Sequence, residues 1–123
     1  MSKAQFLAEN LREGETYAGL LLGKDGAPDI HLFLLAGAAA DVTWDQANKF
    51  AADTGGELPT RREQALLFAN LKEEFEPRWY WSCEQHASSP SNAWFQYFDN
   101  GGQNNFGKSY EGRARAVRRL ILQ

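Results

Sequence analysis

At 123 residues, with a 43% apolar fraction that includes eight Phe, four Trp and four Tyr, the chain has the length and side chains for one domain around one hydrophobic core. Sixteen acidic and thirteen basic residues leave a formal charge of -3, which excludes a protein whose whole surface follows a nucleic-acid backbone. No stretch approaches the roughly 18 apolar residues of a membrane span, residues 1–15 are charged throughout with no apolar signal core, and a single cysteine, Cys83, excludes an internal disulfide framework and points to a reducing compartment.

Ser2 and Gln5 form a capping box, and Ala4, Leu7, Ala8 and Leu11 recur at helical spacing until Gly14, which predicts a short amphipathic N-terminal helix. Residues 16–23 and 30–35 are apolar, extended runs on either side of KDGAPD, whose Asp25-Gly26 and Pro28 supply turn chemistry, so a β-hairpin is expected there. Thr43 with Gln46 caps a second helix with Trp44, Ala47, Phe50 and Ala51 on one face, and Gly55-Gly56 ends it. Thr60 with Glu63 repeats the device. Pro59 keeps Leu58 out of the α region, so the third helix starts after a short turn and runs to about Leu71; its apolar residues Ala65, Leu66, Leu67, Phe68, Ala69 and Leu71 predict deep burial.

The second half changes character. Residues 79–84 (WYWSCE) and 93–99 (AWFQYFD) read as strands, Asn100-Gly101-Gly102 as a turn, and residues 85–92 and 100–112 as long loops. The run from Arg113 to Leu122 is expected to form a last strand that pairs with the N-terminal hairpin. Together these elements predict an α+β fold with a twisted antiparallel sheet, two packed helices and the short N-terminal helix.

Trp79, Trp81 and Trp94 with Phe95, Tyr97 and Phe98 are too many large aromatics for one face of two strands, so half are expected in the core and half exposed or lining a cleft. Beside them Asn92, Asn100, Gln103, Asn104, Asn105 and Lys108 concentrate amide and ammonium groups around a glycine-rich loop, a mixture suited to protein or sugar recognition, although such loops also use Asn and Gly for turn geometry. Strand alternation over the C-terminal run would put Arg113, Arg115 and Arg119 on one side, either as a charged edge that resists aggregation or as a stripe for anions. The candidate ligand-binding set is therefore Trp79, Trp81, Glu84, Asn92, Trp94, Gln103, Asn104, Asn105, Lys108, Arg113 and Arg115. Arg61, at the unfavourable positive end of a helix dipole, is expected to hold a carboxylate or carbonyls of the aromatic strands through its planar fork, ahead of any contact with a ligand.

No catalytic or metal-binding constellation assembles. Cys83 and His86 suggest a nucleophile and its base, yet no third group orients the imidazole, and a buried structural thiol is the plainer reading. With Cys83, only His31 and His86 are available to a transition metal, so no metal and no cofactor are expected.

The succession GGELPTRREQALL, YWSCE, AWFQYFDNGGQ and RAVRRL, over residues 16–120, resembles the collagen-like-adhesin C-terminal family of unknown-function domains found in phages and bacteria. Members are similar to reduced C-type-lectin-like folds, a fold also used by formylglycine-generating enzymes and phage receptor-binding proteins. The enzymes' reactive cysteine pair is missing here, since Cys83 stands alone. Of the calcium motifs, Glu76-Pro77-Arg78 puts a cation where an oxygen ligand belongs, and Phe98-Asp99-Asn100 echoes the second motif only in part. The resemblance implies two helices packed on a twisted antiparallel sheet, with a long loop region presenting the recognition surface. The expected role is a non-enzymatic phage- or prophage-type recognition domain, in the cytoplasm of a host cell or on a virion, that binds a protein partner through its 79–112 face, with inhibition of a host protein as one form of that role. A glycan- or polyanion-binding adhesin or tail component, and a reduced enzyme using Cys83, are the alternatives.

Overall fold

The computed structural model describes residues 2–122. In chain order it comprises α1 (Lys3–Asn10), β1 (Thr16–Leu21), β2 (Ile30–Leu34), β3 (Ala39–Val42), α2 (Trp44–Thr54), α3 (Arg61–Leu71) with a 3-10 turn at Lys72–Glu74, β4 (Trp79–Gln85), β5 (Asn92–Tyr97), β6 (Gln103–Gly107), β7 (Gly112–Ala114) and β8 (Val117–Ile121). The fold is α+β. The strands form two sheets where one was expected: β1-β2-β8, and β3-β7-β4-β5-β6, antiparallel throughout except at β4 and β7.

Of the three anticipated capping boxes two close in full, whereas at α1 only one half forms, Ser2 Oγ accepting from the Gln5 N–H at 3.1 Å. Thr43 Oγ1 accepts from the Gln46 backbone N–H at 3.3 Å while Gln46 Oε1 takes the Thr43 N–H at 2.9 Å, and Thr60 and Glu63 exchange the same pair of bonds at 3.2 and 2.8 Å. At the far end of α2, Gly55 adopts φ 96° and its N–H returns to the Ala51 and Ala52 carbonyls. The buried face of α2 includes Ala47 and Ala51, as the spacing predicts. In α3 the buried positions are Glu63, Gln64, Leu67 and Leu71, whereas Ala65 and Ala69 are exposed, so that helix is less deeply buried than its apolar count suggests.

The pleat of β4 and β5 separates two cores. Trp81, Ala93 and Phe95 point to one side and pack with Ala47 and Ala51 of α2, while Tyr80 points to the other and packs with Leu67, Leu32, Leu34 and Val117. Helix α3 therefore lies between the sheets, with Asn70 Nδ2 donating to the Ala18 carbonyl of β1 at 2.6 Å and Gln64 Nε2 donating to the Tyr80 carbonyl of β4 at 2.9 Å.

The C-terminal run pairs with the hairpin as expected, with β8 antiparallel to β2 from Ile30↔Ile121 to Leu34↔Val117. It is not one strand, however. The chain leaves the large sheet after Ala114 and joins the small one at Val117, and this break scatters the arginines. Arg115 donates to the Glu74 and Leu35 carbonyls, Arg118 to Glu15, and Arg119 to Glu63, so the anion-binding stripe does not form.

Glu15 and Arg118 tie the loop after α1 to β8 through two bonds of 2.7 and 2.8 Å, with the Glu15 side chain only 5% exposed. The hydrogen bond from Arg118 holds the Glu15 carboxyl below its ordinary value of 4.5 against the opposing effect of burial. A carboxyl lowered on folding contributes stability above its unfolded value and loses that contribution as pH falls through the folded one. Glu15→Gln is thus expected to lower the melting temperature at pH 7 and to flatten its decline below about pH 4.5. Parallel melting curves across the acid range for the two proteins would refute this assignment.

Candidate functional site

The face of β4, β5 and β6 that meets the N-terminus of α3 carries most of the polar residues singled out from the sequence. Trp94 stands opposite Asn105 and Gln96 opposite Gln103 across the β5–β6 ladder, and paired residues share a face. Trp94 is half-buried. The Arg61 guanidinium lies over it, its carbon 3.5 Å from the ring centroid, and the His86 ring stacks on the same indole at 5.1 Å and 23°. His86 Nδ1 accepts the backbone N–H groups of Ser88 and Ser89, which fixes the ring in place.

Arg61 is held at three further points. Its Nε donates to Gln103 Oε1 at 2.9 Å, its carbonyl accepts from Gln103 Nε2 at 2.8 Å, and its backbone N–H donates to Glu84 Oε2 at 2.7 Å. Glu84 thus places a carboxylate on the positive end of α3. Gln103 Nε2 also donates to Gln96 Oε1 at 2.7 Å, and Gln96 Nε2 donates to the Gln64 carbonyl at 2.8 Å, which continues the amide network into the interior. Gln64 Oε1 ends that network buried and without a partner among the described residues. Asn92 Nδ2 donates to Asn105 Oδ1 at 2.9 Å beside Trp94.

Two depressions meet at this point. One, of ≈ 590 Å³, opens over Arg61, Gln96, Gly101 and Gln103; the other, of ≈ 400 Å³, opens over Leu21, Leu22, Ile30 and Arg119; Arg62 and Glu84 line both. Together they make a groove across the N-terminus of α3, from the hairpin turn of the small sheet to the β5–β6 turn of the large one.

The structure divides the candidate set. Glu84, Asn92, Trp94, Gln103 and Asn105 share the α3-facing side. Trp81 does not belong there: it is fully buried, and its indole N–H donates to the Val42 carbonyl at 3.0 Å. Trp79 packs in the same core, 4.9 Å from Trp81 and 5.3 Å from Phe106, over a Gly112 too close to accept a side chain. Strand alternation turns both away from the groove. Lys108 reaches Gln85 at 2.6 Å and sits 4.5 Å above the Trp44 ring, and Asn104 caps the Asn105 backbone N–H at 2.8 Å from an exposed position. Arg113 borders a separate small hollow with Trp79 and Asp41, and Arg115 is committed to carbonyls.

Arg62, Gln96, Gly101 and the hairpin residues Leu21 and Leu22 were missed. The usable signal was Arg61-Arg62 itself, two cations at the positive end of a helix, where some other group has to hold them. Cys83 and His86 do not act on one another: the thiol packs towards the α2 core while the imidazole lies on Trp94. Burial raises the Cys83 pKa, so the thiol stays protonated at neutral pH.

Among the described residues no three His, Cys, Asp or Glu side chains gather as a metal site would need, and no helix is long and apolar enough to cross a membrane. No protein-family model matches this chain, and no curated protein matches it in sequence.

Proposed function

We propose that this chain is a non-enzymatic recognition domain that binds a protein partner across the groove at the N-terminus of α3, with Arg61 and Trp94 as its anchors. The observation that carries this reading is the stack of Arg61 on Trp94: the arginine is held at four points and lines the groove, and the half-buried indole lies directly behind its guanidinium group. Trp and Arg dominate binding energy at protein interfaces because a large planar group held in place loses little entropy on contact. In this reading the chain is a phage- or prophage-type domain with a reduced C-type-lectin-like fold, working in a host cytoplasm or on a virion. The three helices and two mostly antiparallel sheets among the described residues make an α+β fold, the class to which that fold belongs.

Affinity capture from host lysate tests the proposal. The tagged protein is expected to retain one specific protein at near-stoichiometric yield, and Arg61→Ala with Trp94→Ala to reduce that yield by about tenfold or more, as loss of hot-spot side chains does. A second reading, a glycan-binding adhesin or tail component, is favoured by the Asn92–Asn105 amide pair beside Trp94, since an aromatic face bordered by amides also suits a sugar ring. Hits on a glycan array with no captured protein would replace the first reading by the second.

A further inference from the structure

The groove has a charge and a shape that the anchors alone do not explain, and the following inference rests on the protein-binding reading above. Four cationic side chains line it, Lys24, Arg61, Arg62 and Arg119, against two carboxylates, Glu63 and Glu84. This local excess of positive charge belongs to a chain whose formal charge is -3. Both carboxylates are already engaged, Glu63 by Arg119 at 2.6 Å and Glu84 by the backbone N–H of Arg61 at 2.7 Å. Arg61 and Arg62, by contrast, have no carboxylate partner among the described residues. Arg61 meets an amide and an indole, and exposed Arg62 meets the Leu22 carbonyl at 2.8 Å.

The hairpin end of the groove is apolar. Leu21 and Ile30 are paired across β1 and β2 and line the hollow with Leu22, which is 62% exposed. Leu22 is the most exposed large hydrophobic side chain among the described residues and stands beside two guanidinium groups without carboxylate partners; the combination defines a partner with two features.

We propose that the groove takes an extended acidic peptide segment of the partner: an aliphatic side chain enters the hollow at Leu21, Leu22 and Ile30, and a carboxylate further along the segment lies against Arg62 and Arg61. A guanidinium fork receives a carboxylate through two parallel hydrogen bonds, and displacement of water from Leu22 adds the apolar contribution.

The test uses synthetic fluorescent peptides that carry one Leu and one Glu at varied spacing, with Glu→Lys and Leu→Ser counterparts, read by polarisation against the whole protein. At the best spacing the Leu/Glu peptide is expected to bind at least about tenfold more tightly than either counterpart, and Arg62→Glu and Leu22→Asp each to abolish that preference. Both side chains are exposed, so unchanged circular dichroism and melting would show these variants to be folded. Equal binding of the Lys peptide, or no response to either substitution, would overturn the inference. Capture of a protein that depends on Trp94 but is unaffected by Arg62→Glu and Leu22→Asp would leave the recognition reading standing and remove this one. If the wild-type protein captures no protein at all, the recognition reading itself fails.

Discussion

Glu63→Ala is expected to destabilise the fold by about 3–5 kcal/mol, the cost of removing one partner from a buried ion pair. Glu63 performs two jobs at once. One carboxylate oxygen takes the Thr60 N–H at 2.8 Å to close the capping box of α3, and the two oxygens together receive Arg119 Nε at 2.6 Å and its Nη2 at 2.8 Å. The Glu63 side chain is 2% exposed and that of Arg119 24%, so alanine would leave a largely desolvated guanidinium behind. Glu57 lies 3.1 Å from Arg119 but is 73% exposed, and this screened contact offsets only part of the loss. The Thr60 backbone N–H also loses its acceptor, although Thr60 Oγ1 still caps the backbone N–H at position 63. Urea denaturation measures the total. Replacing both partners, as in Glu63→Leu with Arg119→Met, is expected to cost less than Glu63→Ala alone, because no unpaired charge stays buried. A double variant weaker than the single would show that the pair itself, and not the orphaned cation, sets the stability.

The same ion pair shows what could and could not be read from the residues. Thr60 followed three positions later by Glu63 marked the start of α3 without ambiguity, since the capping box is a local device. That Glu63 would also meet Arg119, far along the chain, depends on β8 returning beside β2 and was not legible locally. Strand β6 was read as loop because Gln103, Asn104 and Asn105 lack β propensity. It is a strand because it completes the ladder on β5, and the amides of Gln103 and Asn105 bond laterally to Arg61, Gln96 and Asn92, while Asn104 alone turns back on the adjacent backbone N–H. The break between β7 and β8 has no Pro or Gly to announce it; Arg115 and Ala116 there serve Leu35, whose carbonyl accepts from Arg115 and whose N–H donates to Ala116. The groove was legible in part: Glu84 and Gln103 were foreseen, while its Leu21, Leu22 and Arg62 wall comes from elements about forty residues apart.

Alternation led to the expectation that half of the six large aromatics would lie outside the core, yet Trp79, Trp81, Phe95, Tyr97 and Phe98 all pack in the two cores and Trp94 alone does not, so two tryptophans of that region give opposite expectations. Trp81→Ala is expected to cost about 3–5 kcal/mol, much of the stability of a domain this size. The side chain is fully buried, packs edge-on against Trp79 at 4.9 Å and Phe95 at 6.5 Å, and would leave the Val42 carbonyl without its donor. Trp94→Ala removes a half-buried ring whose principal polar contact is the Arg61 guanidinium, a stack worth about 0.5–1 kcal/mol at such a site. Chemical denaturation followed by far-ultraviolet circular dichroism separates the two: Trp81→Ala shifts the midpoint strongly or abolishes the transition, while Trp94→Ala stays close to wild type and loses its partner. A Trp94→Ala protein that unfolds as readily as Trp81→Ala would make the Arg61 stack a fixture of the fold, and the loss of binding would then say nothing about the groove. A Trp81→Ala protein of near-wild-type stability would mean that the α2 core can close over a missing indole, which Gly112, already in contact with the neighbouring Trp79 ring, leaves little room to do.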